Sequence, residues 1–359
     1  NYFLIPKQQD LADYYSSRAV VYFSREQIDS SIYYDKKALV VLKSQLKNKV
    51  KIIRGYQNIA RTYERTKRLD LGLYYYRKAL ALNPGKLNKF IIVRGIAKIL
   101  KLKGKLEESL KNFLRADSML IFVRKKLKTN NEKLALLRAK HLVLDDALDI
   151  CYTLYRKNMS YANVFFYLSE RLKANILLDG KRNRIISLDS VAEHLPITTA
   201  LVEYCQTKEY LYISVIRPRG FKVINRVSIR GVRVKQLVRK YNLSLSAIQL
   251  YNFYDLNYRL YTLLIKPIIQ DLSNIKRLVI IPSAATLNLP FESLIIGKNT
   301  NYKKASYLIT KFITTYHLSA SLYFNNGKKS KRFEKQFTGV APVHYDKLAS
   351  LPYSKKEVV

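Results

Sequence analysis

Arg277-Leu-Val-Ile-Ile-Pro-Ser-Ala-Ala-Thr-Leu-Asn-Leu-Pro-Phe-Glu-Ser-Leu-Ile295 is the stretch whose reading decides the fold. A short apolar run, Leu278 to Ile281, stops at Pro282, which has no N–H to give a sheet ladder. Small residues follow, and Pro290 then leads into Phe291-Glu-Ser-Leu294. A run of that length, bounded by proline and turn residues, reads as a buried strand feeding a loop. Upstream, Glu209 to Arg217 and Phe221 to Val227 are rich in β-branched and aromatic residues. The turn Pro218-Arg-Gly220 separates them, which predicts a hairpin. Two helical stretches, near 231–250 and 255–272, lie between this hairpin and the Leu278 run. Strands mixed with helices predict an α/β domain.

The first ~180 residues carry apolar positions at the helical period instead. Tyr56, Ile59, Ala60 and Tyr63 share one helical face, and Gly72, Tyr76 and Ala79 form a small-large-small stripe on a second helix. Asn83-Pro84-Gly85 ends that helix. Tyr15, Ala19, Tyr22, Ser31 and Ala38 occupy the same offsets upstream, as do Ile96, Ala97, Leu100, Gly104, Ser109, Phe113 and Ala116 downstream. The unit resembles a tetratricopeptide (TPR) repeat, a helix–turn–helix of about 34 residues. The intervals here are longer, and the surplus is expected in loops such as Lys43 to Lys49. A degenerate helical pair follows, from about Leu134 to Leu178. The basic run Asp179-Gly-Lys-Arg-Asn-Arg184 reads as a linker. The predicted organisation is therefore α + α/β: an all-α TPR solenoid over 1–180, a linker over 181–190, and an α/β domain over 191–359.

A second resemblance covers the rest. Phe166-Tyr-Leu-Ser-Glu-Arg-Leu-Lys-Ala174 looks like the last helix before a CHAT domain. Leu260 to Pro267, Leu278 to Pro282 and Leu289 to Leu294 look like its opening segments. Thr315-Tyr-His-Leu-Ser-Ala-Ser-Leu322 is similar to the strand-to-helix step that follows. Phe337 to Pro342 and Leu351 to Glu357 resemble the next strand and loop. CHAT domains are caspase-like cysteine peptidase domains commonly preceded by TPR arrays. Ser283-Ala-Ala285 departs from the family pattern, which has an acidic residue and a glycine there, so a looser turn is expected.

The resemblance implies a His that helps form the thiolate and a Cys that attacks the carbonyl. In CHAT domains both fall beyond the segment matching Glu357, and the chain stops at Val359. The expectation is a fragment or processed product cut ahead of both catalytic residues, active as a peptidase only in an intact parent and inert by itself. Its sheet is then expected to expose an unpaired edge and to favour aggregation. The cysteines present, Cys151 and Cys205, follow His141 and His194 by short spacings, but free cysteines are commonly buried small hydrophobes. His317 has Ser319 and Ser321 within reach, and a structural role suits it better. No catalytic residue is assigned, and no glycine-rich phosphate loop or metal-ligand spacing is present. No cofactor is expected.

Lys and Arg number 65 against 26 acidic residues, a formal net charge of +39. Such a surface attracts polyanions. Abundant Lys, Tyr, Ile and Asn with no Trp also suits an AT-rich genome, and that reading is simpler than a nucleic-acid function, which would be non-specific. Two cysteines suit a reducing, cytoplasmic setting. No apolar run reaches the ~18 residues of a membrane span. Residue 1 is Asn, which is compatible with a leader removed upstream.

Recognition remains. In TPR arrays the first helix of each repeat lines a concave groove. The residues between its apolar positions are Arg54, Asn58, Arg61 and Arg65 in the second repeat, and Arg94, Lys98 and Lys101 in the third. The first repeat offers Asp13, Ser17, Val20 and Ser24. The expectation is a basic groove for an acidic peptide or protein tail, its arginines taking carboxylates in forked hydrogen bonds.

Overall fold

The computed structural model describes residues 8–46, 48–124, 129–173, 185–220, 222–246, 250–297 and 305–326. Eight helices come first: α1 (Gln8–Ser24), α2 (Ile28–Val41), α3 (Lys49–Arg65), α4 (Leu69–Ala81), α5 (Lys86–Leu102), α6 (Leu106–Arg124), α7 (Asn130–Tyr155) and α8 (Tyr161–Lys173). A short α9 (Leu188–His194) leads into β1 (Thr199–Gln206), β2 (Tyr210–Ile216) and β3 (Lys222–Ser228). Then come α10 (Val234–Ser246), α11 (Leu250–Leu264), β4 (Arg277–Ile281), β5 (Ile313–Tyr316) and α12 (Ala320–Asn326). The basic run at 179–184, the strand expected at Phe337 to Pro342 and the loop expected at Leu351 to Glu357 lie outside the described residues.

The first six helices form three pairs closed by the same turn. Glu26, Lys67 and Gly104 each adopt a left-handed backbone, with φ of 61°, 59° and 75°. In each pair the N–H of that residue donates to the carbonyl three back, and the next N–H reaches the carbonyl five back. The first pair shows this as Glu26 to Phe23 and Gln27 to Tyr22, the second as Lys67 to Glu64 and Arg68 to Tyr63, the third as Gly104 to Lys101 and Lys105 to Leu100. That is the helix C-terminal motif in which a left-handed residue satisfies orphan carbonyls. The three turns recur at the same two intervals as Ala38, Ala79 and Ala116, all buried.

The small-large-small stripe sets how closely the helices approach. A Cβ added to Gly72 would sit 2.7 Å from Ile99 Cδ1, and one added to Gly95 would sit 2.2 Å from the Tyr76 ring. Ser109, at the Gly72 offset, donates to the Ala97 carbonyl at 2.7 Å. The surplus between the first two pairs is not simply a loop. Leu42–Leu46 continues α2 as a π-helical turn. Leu42 there packs against Ala12 and Val41, so burial of its side chain favours the extra turn over an open loop.

The sheet has the order β3-β2-β1-β4-β5. β1, β2 and β3 are antiparallel neighbours, with the hairpin register Tyr210 opposite Ser228 through Ile216 opposite Lys222. β4 runs parallel to β1, and β5 parallel to β4. Strands buried on both faces read as continuous apolar runs, and Leu278-Val-Ile-Ile281 is buried throughout. Alternation divides β1 between the two faces. Ala200, Val202 and Tyr204 join Leu211, Ile213 and Ile280 under α10 and α11. Leu201 and Cys205 join Tyr212, Ile216 and Val279 under α7, α8 and α9. One apolar cluster thus runs from Phe90 of α5 through α6, α7 and α8 onto the sheet and to Ala320 of α12. The helical array and the sheet share a core.

The turn after β4 is tight. Ser283 N donates to Thr286 Oγ1 at 3.0 Å, and Thr286 N returns a bond to the Ser283 carbonyl at 3.0 Å. Both residues are buried. Hydroxyls in an ST-type turn satisfy here the backbone that glycine and an acid would otherwise serve.

Candidate functional site

Five of the seven residues named for the groove are already engaged. Arg61 Nη2 donates to Asn58 Oδ1 at 2.7 Å. Arg65 pairs with Glu26 at 3.2 Å, Lys98 with Glu64 at 3.8 Å and Lys101 with Asp146 at 2.7 Å. Arg54 is exposed, and Arg94 is half-buried with Nε lacking a hydrogen-bond partner among the described residues. Asp13 of the first pair binds Lys51 at 2.9 Å. Acids thus pair three of the six groove cations, Arg65, Lys98 and Lys101, while Arg54, Arg61 and Arg94 are in no ion pair among the described residues. The missing acids come from elsewhere: Glu64 from the same helix as Arg61, and Asp146 from α7. Burial raises the Glu64 carboxyl, opposed by Lys98 and by the Tyr76 hydroxyl that donates to it.

A cleft of about 240 Å³ opens between α1, α2 and α3, lined by Val20, Phe23, Ser31, Asp35, Asn58 and Arg61. Asp35 is 4% exposed. Burial pushes its carboxyl up to about 7, with the Arg61 charge pulling the other way. Neither Asp35 nor Ser31 has a side-chain hydrogen bond among the described residues. The sequence did carry a signal for Asp35. Ser31, Ile32, Asp35, Ala38 and Leu39 are the buried face of α2, so an acid sits in an apolar stripe.

A second polar cluster lies where α8 meets the C-terminal ends of β1 and β4. Glu203, in the interior of β1 and paired in register with Ile281, accepts from Ser169 Oγ at 2.6 Å and Lys173 Nζ at 3.0 Å. Lys173 also reaches the Ile281 carbonyl at 3.4 Å. Glu170 accepts the backbone N–H groups of Ala320 and Ser321 at 2.9 and 2.8 Å, which satisfies the start of α12. Burial raises the Glu170 carboxyl, and the nearby Glu203 adds to this. Ser169, Glu170 and Lys173 belong to the segment likened to a pre-CHAT helix. Arg171 of that helix holds Asp117 of α6 through two bonds of 3.0 and 3.1 Å. One helix thus ties the array to the sheet on two sides.

The thiols are unsuited to attack. Cys151 and Cys205 are buried, and burial pushes both up to about 12. Cys151 Sγ lies 3.5 Å from the Tyr161 carbonyl. His194 Nδ1 instead bonds the Ser190 carbonyl at 2.7 Å. His317 packs against Tyr323, the rings tilted by 56° with centres 4.6 Å apart, and burial lowers its pKa. Ser319 and Ser321 bond Leu322 N and Ile186 N, not this ring. Among the described residues no group of three His, Cys, Asp or Glu side chains is placed to hold a metal. None of their helices is long and apolar enough to cross a membrane.

The class these features define is a mostly helical N-terminal array packed on a mixed five-stranded α/β unit. Residues 255–358 match the family model of the CHAT domain. The match begins within α11, takes in β4, β5 and α12, and continues past the described residues. No curated protein matches the chain.

Proposed function

We propose that the chain is a TPR-type docking array, residues 1–180, joined through 181–190 to a caspase-like CHAT domain over 191–359. The array recruits a protein or peptide partner. The CHAT domain is the part of cysteine-peptidase type, and neither Cys151 nor Cys205 is its nucleophile. The observation that carries the reading is the CHAT match over 255–358. The three equivalent helix turns support the repeat part. Arg54, Arg61 and Arg94 are the groove cations outside any ion pair with an acid among the described residues; Arg54 and Arg61 are exposed and are the partner-facing positions on this reading.

The array part is tested with the purified chain immobilised and a phage-displayed random peptide library. Peptides retained by the chain and released by Arg54→Glu with Arg61→Glu support docking. Loss of all retention by the unaltered chain refutes it. A non-catalytic scaffold is the second reading, favoured by both cysteines being buried with raised thiol pKa values. Thiol-blocker-sensitive hydrolysis by the purified chain would refute both the scaffold reading and the exclusion of Cys151 and Cys205.

A further inference from the structure

The cleft between α1, α2 and α3 has a composition the basic-groove expectation does not explain. Its walls, Val20 and Phe23, are apolar, and Val20 stands 62% exposed at the surface. Within lie one acid and one guanidinium of opposite sign, Asp35 and Arg61. Asp35 and Ser31 are almost fully buried, at 4% and 1% exposure, and their side chains lack hydrogen-bond partners among the described residues. Their polar atoms are not sealed in the core; they open onto the cleft, where a guest can meet them. Arg61 already occupies the oxygen of Asn58, so the Asn58 amide N–H groups and the remaining guanidinium N–H groups stay available. The cleft therefore offers acceptors from α2 and donors from α3. Its volume, about 240 Å³, is several times the ~30 Å³ share of one water.

Charged guests fit this set poorly. A carboxylate entering beside Arg61 would also face Asp35 and compete with it for the one guanidinium. An ammonium would suit Asp35 but meet Arg61. A plain hydrocarbon side chain would seal Asp35 and Ser31 away from water with nothing to bond. A primary carboxamide satisfies both sides: its NH₂ donates toward Asp35 and Ser31, and its carbonyl accepts from Arg61 and Asn58, while its methylenes lie on Val20 and Phe23.

We propose that this cleft is a subsite for an uncharged carboxamide side chain, Asn or Gln, presented by a protein partner; the inference rests on the docking reading above. Arg54, outside the cleft, then serves the partner's flanking residues. The test pans the phage-displayed random peptide library against the whole chain and measures synthetic copies of the retained peptides by fluorescence anisotropy. Retained sequences should share a Gln or Asn at one position. Replacing that residue by Glu, Lys or Leu should weaken binding at least about tenfold. Val20→Trp, which fills the mouth from an exposed position, should do the same, as should Asp35→Asn, which replaces one of its two acceptor oxygens by a donor NH₂ without changing shape. Peptides that bind indifferently to Val20→Trp and Asp35→Asn, or that share an acidic anchor, overturn the subsite and leave the docking array standing. Retention of no peptide at all overturns both.

Discussion

Lys173 at the end of α8 holds its ammonium 3.0 Å from Glu203 Oε1 inside β1, while Glu203 Oε2 has no hydrogen-bond partner among the described residues. Their side chains are 10% and 0% exposed. Removing one member of a buried pair leaves an uncompensated charge, which costs about 3–5 kcal/mol. Lys173→Met should therefore lower unfolding stability by about that amount in urea. Lys173→Met with Glu203→Gln should recover much of the loss. Equal stability of the two variants would show that the pair matters little.

The equivalent turns give a signed comparison. Gly104 is left-handed at no steric cost, whereas Lys67 holds the same conformation with a side chain. Gly104→Ala should destabilise by about 1 kcal/mol and Lys67→Gly should stabilise by a smaller amount. Thermal melts of the two variants, moving in opposite directions, check this.

Close approach at Gly95 gives a third. The Tyr76 ring it touches is 1% exposed and bonded to Glu64, so it has little freedom to retreat. Gly95→Ala should cost about 1–3 kcal/mol by overpacking. Gly85→Ala, whose Cβ would meet nothing within 4 Å, should be close to neutral. Equal melting temperatures for the two variants would count against the packing described.

Two buried acids set the sign of a pH dependence. Asp35 and Asp145 are each pushed up to about 7 by burial, Asp145 also by Asp149 and Asp146. Their native carboxyls hold protons that the unfolded chain has released. Their stabilising contribution is full below pH ~4, is lost as pH rises through about 7, and does not return above it. Asp35→Asn with Asp145→Asn should flatten that slope. Urea unfolding at pH 5 and pH 8 should show the variant gaining on the parent by about 2–4 kcal/mol more at the higher pH.

Chemistry at sulphur is the last prediction. A thiol held near 12 is protonated at neutral pH and slow to alkylate. Intact mass after iodoacetamide at pH 7.5 should show no addition to the folded chain and two additions in urea. Fast native labelling of either cysteine would contradict its burial.

Local signals carried most of the fold. Arg277 to Ile281 is the strand its apolar run announced, and Pro218-Arg-Gly220 turns the hairpin as read. Tyr56 to Tyr63 and Gly72 to Ala79 gave the helix pair because packing stripes repeat within one or two turns. Charge pairing was not legible. Lys101 meets Asp146 and Lys98 meets Glu64 only because neighbouring helices cross at a particular angle, which sequence spacing does not encode. Glu170 serves α12 from 150 positions away in the chain, beyond any local pattern. Asp35 was readable in principle, as an acid among buried positions, but its offset falls outside the residues expected to face the groove. The turn at Ser283 was expected to be loose because its glycine is absent; side-chain hydroxyls replaced backbone freedom there.

The apolar cluster that begins at Phe90 and ends at Ala320 makes the molecule lopsided in how it could be lengthened or trimmed. The helices ahead of α5 rest mainly on a separate cluster centred on Ile59 and Tyr76. Pairs could be gained or lost at that far end, through duplication or deletion, with the strands undisturbed. At the near end, α7 and α8 roof Tyr212 and Ile216, so an insertion there would strip the sheet of its cover. Variation in array size across relatives should accumulate at the amino-terminal side.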